Sequence, residues 1–215
     1  MCVISVSIKG RKFSEEDLKK MWDANPHGAG FAWVSGSKVH VVKGLMKFED
    51  LLELYERIPE GIMHAIHFRL KSAGEVLPGL THPFRVDSID TQELRYVASR
   101  VLFHNGTVSD WRSLYFAVLP SLRKKEREKV LSMESVSDTY VVSLAVYKFG
   151  HKILKHLDVS GRWLIFSPEP VFYGIWNEDK KRGFKFSNVS WRYEGTVYCG
   201  YRSYLNGWKG GVDVL

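Results

Sequence analysis

Strand-like and helix-like runs follow one another in this chain without a regular strand-helix-strand alternation, and that order constrains the fold more than any other feature. Ala29 to Val34 and Val39 to Gly44 flank Ser35-Gly36-Ser37-Lys38, the pattern of a hairpin. The opening Met1-Cys2-Val3-Ile4-Ser5-Val6-Ser7 alternates apolar with small polar residues and reads as a further strand. Gly61 to Arg69 and Tyr96 to Phe103 are strand-like. So are the short apolar runs around Ile153, Trp163 to Phe166, Val171 to Trp176 and Phe184 to Phe186, set between Gly, Pro and Asn breaks. Helix signals are interspersed. Ser14 precedes Glu15-Glu16-Asp17, with Leu18, Met21 and Trp22 on the apolar face of a helix ending near Ala24. Phe48, Leu51, Leu52 and Tyr55 recur at helical spacing, and helices are expected from about Asp110 to Leu131 and from Ser137 to Phe149. Lys71 to Phe84 is a loop punctuated by Gly and Pro. Hairpins without crossover units imply antiparallel sheets with helices packed outside them, the α+β class.

At 215 residues, with no repeat or linker, the chain is expected to form one domain over residues 1–215. The balance of 45% hydrophobic and 26% charged residues is that of a soluble protein, and no apolar run approaches the roughly 20 residues of a membrane helix. The N-terminus lacks the basic start and apolar core of a secretory signal. Cys2 and Cys199 have neither disulfide-framework nor metal-ligand spacing, so a cytoplasmic setting is expected. The net charge of +7 permits an anionic partner, but the densest basic stretch, Arg123 to Lys129, is interrupted by Glu126 and Glu128 and reads as a solvated helix face.

Cys2 stands next to the initiator methionine, and its side chain is small enough for ordinary removal of Met1. That removal leaves a thiol and an α-amine on one residue. The amine titrates near 7.7 to 8.0 and the thiol near about 8.5, so the amine can take the thiol proton close to neutral pH without a histidine. By itself, a small cysteine in a strand is ordinarily a packing residue.

Four further motifs change that reading. Arg69 lies in His67-Phe68-Arg69-Leu70-Lys71-Ser72-Ala73-Gly74, and Thr81-His82-Pro83-Phe84, His104-Asn105-Gly106 and Ser137-Asp138-Thr139 follow in order. With Cys2, this series resembles the class II glutamine amidotransferases, over some two-thirds of the chain from Cys2 to about Thr139. The resemblance implies a four-layer αββα sandwich of the N-terminal nucleophile hydrolase class, with Cys2, Asn105 and Gly106 as catalytic residues. It also implies Arg69, Asp138, Ser72 and His82 as the substrate-binding set. Physically, free glutamine carries an α-carboxylate and an α-ammonium: Arg69 can hold the first with two hydrogen bonds and Asp138 can accept from the second. Asn105, through its amide, and Gly106, through its backbone N–H, would meet the tetrahedral oxyanion. Asn25-Pro26-His27-Gly28-Ala29-Gly30 resembles the turn that crosses near the nucleophile. Two departures stand out: Ala24-Asn25 where the family often has Arg-Gly, and Ser72 in place of the usual threonine.

The expected chemistry is hydrolysis of the side-chain amide of glutamine, or of a related amide, through a Cys2 thioester. A separate ammonia-accepting synthetase subunit, another amide on the same scaffold and a glutaminase acting alone all remain open. The alternative of another class is an inactive scaffold that binds protein or nucleic acid, which the charge and the aromatic stretch from Trp191 to Trp208 would accommodate; that stretch is expected to pack on the domain's own sheets. No metal is expected from His64, His67, His82 and His104, because His64 and His67 point to opposite faces of a strand. No cofactor is implied: Gly28-Ala29-Gly30 lacks the third glycine and the strand-to-helix context of a dinucleotide fingerprint.

Overall fold

The computed structural model describes residues 2–71, 75–89, 93–157 and 161–192. Among these, two antiparallel sheets are flanked by helices. The first sheet has the order β10-β11-β1-β4-β2-β3-β6, built from β1 (Val3–Ser7), β2 (Ala29–Ser35), β3 (Lys38–Leu45), β4 (His64–Phe68), β6 (Arg95–Ala98), β10 (Asn177–Asp179) and β11 (Phe184–Phe186). The second has the order β5-β7-β8-β9, from β5 (Phe84–Arg85), β7 (Val101–Asn105), β8 (Arg162–Phe166) and β9 (Val171–Tyr173). The helices are α1 (Glu15–Ala24), α2 (Phe48–Glu56), α3 (Trp111–Val118), α4 (Lys124–Leu131) and α5 (Asp138–Phe149).

Period-two alternation sorts the strand residues. In β7, Val101 and Phe103 pack with Ile4 and Val6 of β1 and Ala65 of β4, between the two sheets. Leu102 turns the other way and packs with Val142 and Val146 of α5. On the outer face of the first sheet, Val3, Phe31, Ile66 and Phe68 meet Leu18 and Met21 of α1 and Leu51 and Tyr55 of α2. Each fully buried Phe or Leu in these layers contributes on the order of 2 kcal/mol.

Local signals work where they are strong. Ser14 caps α1 by accepting the N–H of Asp17, and β2 pairs with β3 through the Gly36 turn. Three expectations are corrected. Tyr96 to Phe103 is not one strand: it is split at Ser99-Arg100 into β6 and β7, which belong to different sheets. The expected helix from Asp110 to Leu131 breaks into α3, a 3-10 turn over Leu119–Ser121 and α4, because Pro120 has no N–H to continue the helical ladder. The run around Ile153 is a 3-10 turn over His151–His156 rather than a strand. Trp191 is buried against Phe186, while the rest of the aromatic stretch, like Cys199, lies outside the described residues.

No helix among the described residues is long and apolar enough to cross a membrane.

Candidate functional site

Cys2 immediately precedes β1, which is hydrogen-bonded to β11 on one side and to β4 on the other. It is half-buried, and its sulfur lies 3.2 Å from both the N–H and the carbonyl oxygen of Leu70. Its own carbonyl accepts from Nδ2 of Asn188 at 2.6 Å. Burial pushes the thiol above its ordinary value, with Asp138 adding to the rise and the Leu70 backbone and the Arg69 guanidinium opposing it.

Antiparallel pairing of β1 with β4 sets Val3 opposite Phe68, which brings the end of β4 alongside Cys2. Arg69, almost fully buried, leaves that strand end with both backbone groups held: its N–H donates to Gly28 and its carbonyl accepts from His27. The segment Asn25 to Gly30 therefore crosses beside Arg69 at the end of β4. Gly28 has φ +99°, and a Cβ on Gly30 would stand 2.1 Å from the carbonyl oxygen of His82, so this crossing requires glycine. Burial lowers the Arg69 guanidinium below its usual range, against the pull of Cys2 and Asp138.

From the second sheet, β7 delivers His104-Asn105-Gly106. His104 stacks on Trp163 at 3.6 Å between ring centroids, with Nδ1 3.0 Å from the Thr139 hydroxyl. Nδ2 of Asn105 is 2.8 Å from Oγ of Ser187. Helix α5 starts at the same place. Ser137 caps it, and Asp138 in its first turn accepts from the N–H groups of Val108 at 3.0 Å and Thr139 at 2.8 Å. A carboxylate is at home at a helix N-terminus, where exposed N–H groups and the helix dipole favour negative charge.

These segments close around a narrow cleft lined by Cys2, Arg69, His82, Gly106, Asp138 and Thr139 among others. The structure thus brings five of the expected site residues, Cys2, Arg69, His82, Gly106 and Asp138, to one cleft. Asn105 is buried next to Gly106, and Ser72 lies outside the described residues. His82 packs on His67 at 4.0 Å, and Nδ1 of His82 lies 3.4 Å from the N–H of His104. Burial holds both imidazoles well below their ordinary value, so they are neutral near pH 7. His64 and His67 do occupy opposite faces of β4: His64 bonds to Tyr55 on the α2 side. Among the described residues, no group of three His, Cys, Asp or Glu side chains could hold a metal ion.

Three residues of the site's surroundings have no sequence signal of their own. Ser187 and Asn188 bind Asn105 and Cys2, and only the polar break after Phe184-Lys185-Phe186 marks them. Lys43 is buried inside the first sheet, where Nζ donates to the Gly79 carbonyl at 2.9 Å and sits 4.3 Å above the Phe84 ring. Burial, and secondarily Arg69, bring its pKa down to about 7.

Compared with solved structures, the fold is similar to that of the glutamine phosphoribosylpyrophosphate amidotransferase from B. subtilis, solved with ADP and GMP. The TM-score is 0.54 at 15% sequence identity, over 86% of this chain and 41% of that one. The likeness is one of fold. The chain spans less than half the length of that enzyme. A glutamine aminotransferase class-II domain protein from Silicibacter pomeroyi overlaps more loosely, with a TM-score of 0.46 at 11% identity over 86% of this chain and 87% of that one. No family model and no curated protein matches the sequence.

Proposed function

We propose that this chain is a glutamine amidohydrolase of the class II amidotransferase type, a single four-layer αββα domain of the N-terminal nucleophile class. The observation that carries the reading is the convergence of a sulfur, a guanidinium and a carboxylate on one cleft from segments far apart in sequence: Cys2, Arg69 and Asp138. In this reading a zwitterionic amino acid sets its α-carboxylate on Arg69 and its α-ammonium on Asp138, with its side-chain amide toward Cys2.

Removal of Met1 frees the α-amine of Cys2. The amine takes the thiol proton as sulfur attacks the amide carbon, and the carbonyl electron pair moves onto oxygen, where Asn105 and Gly106 meet it. When the intermediate collapses, the C–N bond breaks and the protonated amine returns its proton to the leaving nitrogen, giving ammonia. Water then adds to the γ-glutamyl thioester, delivering one proton to the amine, and the C–S bond breaks to give glutamate and the free thiol. The hydrogen bond from Leu70 N–H to sulfur favours the thiolate in a site where burial opposes it.

The test is glutamate release from glutamine by chain whose intact mass shows the loss of one methionine. The expected result is turnover in the processed chain; a processed, folded chain without turnover overturns the proposal. Arg69→Lys is expected to raise KM for glutamine about 100-fold with kcat little changed, because a lysine cannot reproduce the two-point carboxylate clamp. Steady-state kinetics check this, and an unchanged KM would show that the guanidinium does not touch the substrate.

A further inference from the structure

Ser187 directly follows β11 and is fully buried. Its Oγ accepts the N–H of Ile4 at 2.8 Å and its own N–H donates to the Ile4 carbonyl at 2.9 Å, so it is fastened to β1 two residues from Cys2. The same Oγ receives Nδ2 of Asn105 at 2.8 Å. Two groups at this contact are mismatched. Oγ takes two donors while its own proton has no acceptor among the described residues, and Oδ1 of Asn105 is buried with no hydrogen-bond partner.

One rotation removes both mismatches. Turning the Asn105 amide by half a turn about its last bond exchanges Oδ1 and Nδ2 without changing the space the side chain fills. The Ser187 hydroxyl then donates to Oδ1, the Ile4 N–H keeps its lone pair on Oγ, and the amide NH₂ takes the place of the orphaned oxygen. A serine oxygen already holding a fixed backbone donor is best satisfied by an acceptor, and the amide has one end that accepts.

We propose that Ser187 is a positioning residue that fixes the direction of the Asn105 amide: its hydroxyl donates to the amide oxygen and turns both amide N–H groups away from Ser187, as the oxyanion role proposed above requires. The catalytic meaning rests on the hydrolase reading above; the orientation itself does not. A donor aimed before charge develops needs no reorganisation at the moment of reaction, and that alignment is what makes an oxyanion site effective. Ser187 reaches Asn105 through its hydroxyl proton, while the lone pair of the same Oγ holds the Ile4 N–H of β1.

Neutron diffraction from deuterium-exchanged crystals of the full chain distinguishes nitrogen from oxygen and locates the exchanged hydrogens. The expected result is a deuterium on Ser187 Oγ directed at Asn105 Oδ1, with both amide deuteriums pointing elsewhere. An amide deuterium directed at Ser187 Oγ overturns the proposal, whatever the catalytic activity. In kinetics, Ser187→Ala is expected to lower kcat on glutamine by about 10- to 100-fold at unchanged KM, the signature of a contact made only in the transition state. The same substitution in an Asn105→Ala background is expected to lower kcat less than it does alone, the remainder being the cost of the lost Ile4 acceptor. Unchanged kcat in the single variant, or additive losses in the double variant, overturns the positioning role. Absence of glutamate release by the wild type refutes the hydrolase reading alone, and the neutron result still decides the orientation.

Discussion

Replacing Cys2 by alanine is expected to reduce glutamate release at least about a thousandfold, because no other group in the cleft can form the thioester. The substitution deletes one sulfur and leaves Arg69 and Asp138 in place, so glutamine binding should survive. Its cost to the fold should also be small, about 1 kcal/mol, since the half-buried sulfur contributes only its contacts with the Leu70 backbone. Calorimetric titration of the variant with glutamine, beside a glutamate assay of both proteins, separates binding from chemistry. Equal rates in wild type and variant would remove Cys2 from the mechanism. Lost rate together with lost binding would show that the sulfur shapes the pocket instead.

Acid is expected to unfold the protein over a window set by buried imidazoles. His64, His67 and His82 are buried, and desolvation lowers all three, His64 to about 4 and the others well below 6.5. In the unfolded chain these rings bind protons below about 6.5, while the folded chain excludes them. The unfolded state therefore holds more protons as pH falls, and stability falls with it. Once the unfolded rings are protonated, each costs about 1.4 kcal/mol per pH unit, so His64 alone reaches about 3 kcal/mol by pH 4. Three together approach about 4 kcal/mol per unit, against a typical total of about 5 to 15 kcal/mol. Most carboxylates titrate lower, which leaves the region between about pH 6.5 and pH 5 to the imidazoles. Urea unfolding at about pH 7 and about pH 5 measures the loss. His64→Gln, far from Cys2 and neutral throughout, should remove about a third of the slope; an unaltered slope would contradict burial of neutral His64 as its source.

Much of the first half of the fold is legible because its signals are local. Ser14 and the acidic turn after it define α1 within four residues, and the Gly36 turn joins two runs that pair with each other. Between Tyr96 and Phe103 the strand pattern continues, yet β6 completes the edge of one sheet while β7 enters the middle of the other. Strand propensity does not encode which partner a strand finds. Residues Asn177 to Asp179 carry no apolar alternation at all, and they form β10 only because β11 lies alongside. In the candidate site, the motifs around Arg69, Asn105 and Asp138 could be read, since each is a short string with its own chemistry. Ser187 and Asn188 could not, because what they do depends on Ile4 and Cys2, more than 180 residues away. Lys43 could not for the opposite reason: a charged residue in a strand ordinarily faces water, and its burial is set by Gly79 and Phe84.

The pairing of β1 with both β4 and β11 has a consequence for biogenesis. In synthesis β1 gains its second neighbour only after residues up to Phe186 have been made. Until then one side of β1 is an open sheet edge, a template for pairing with other chains. A nascent chain stalled before Phe184 would carry Cys2 at a half-walled sheet, without the Ser187 and Asn188 contacts, so the surroundings of this cysteine are completed only by the late strand.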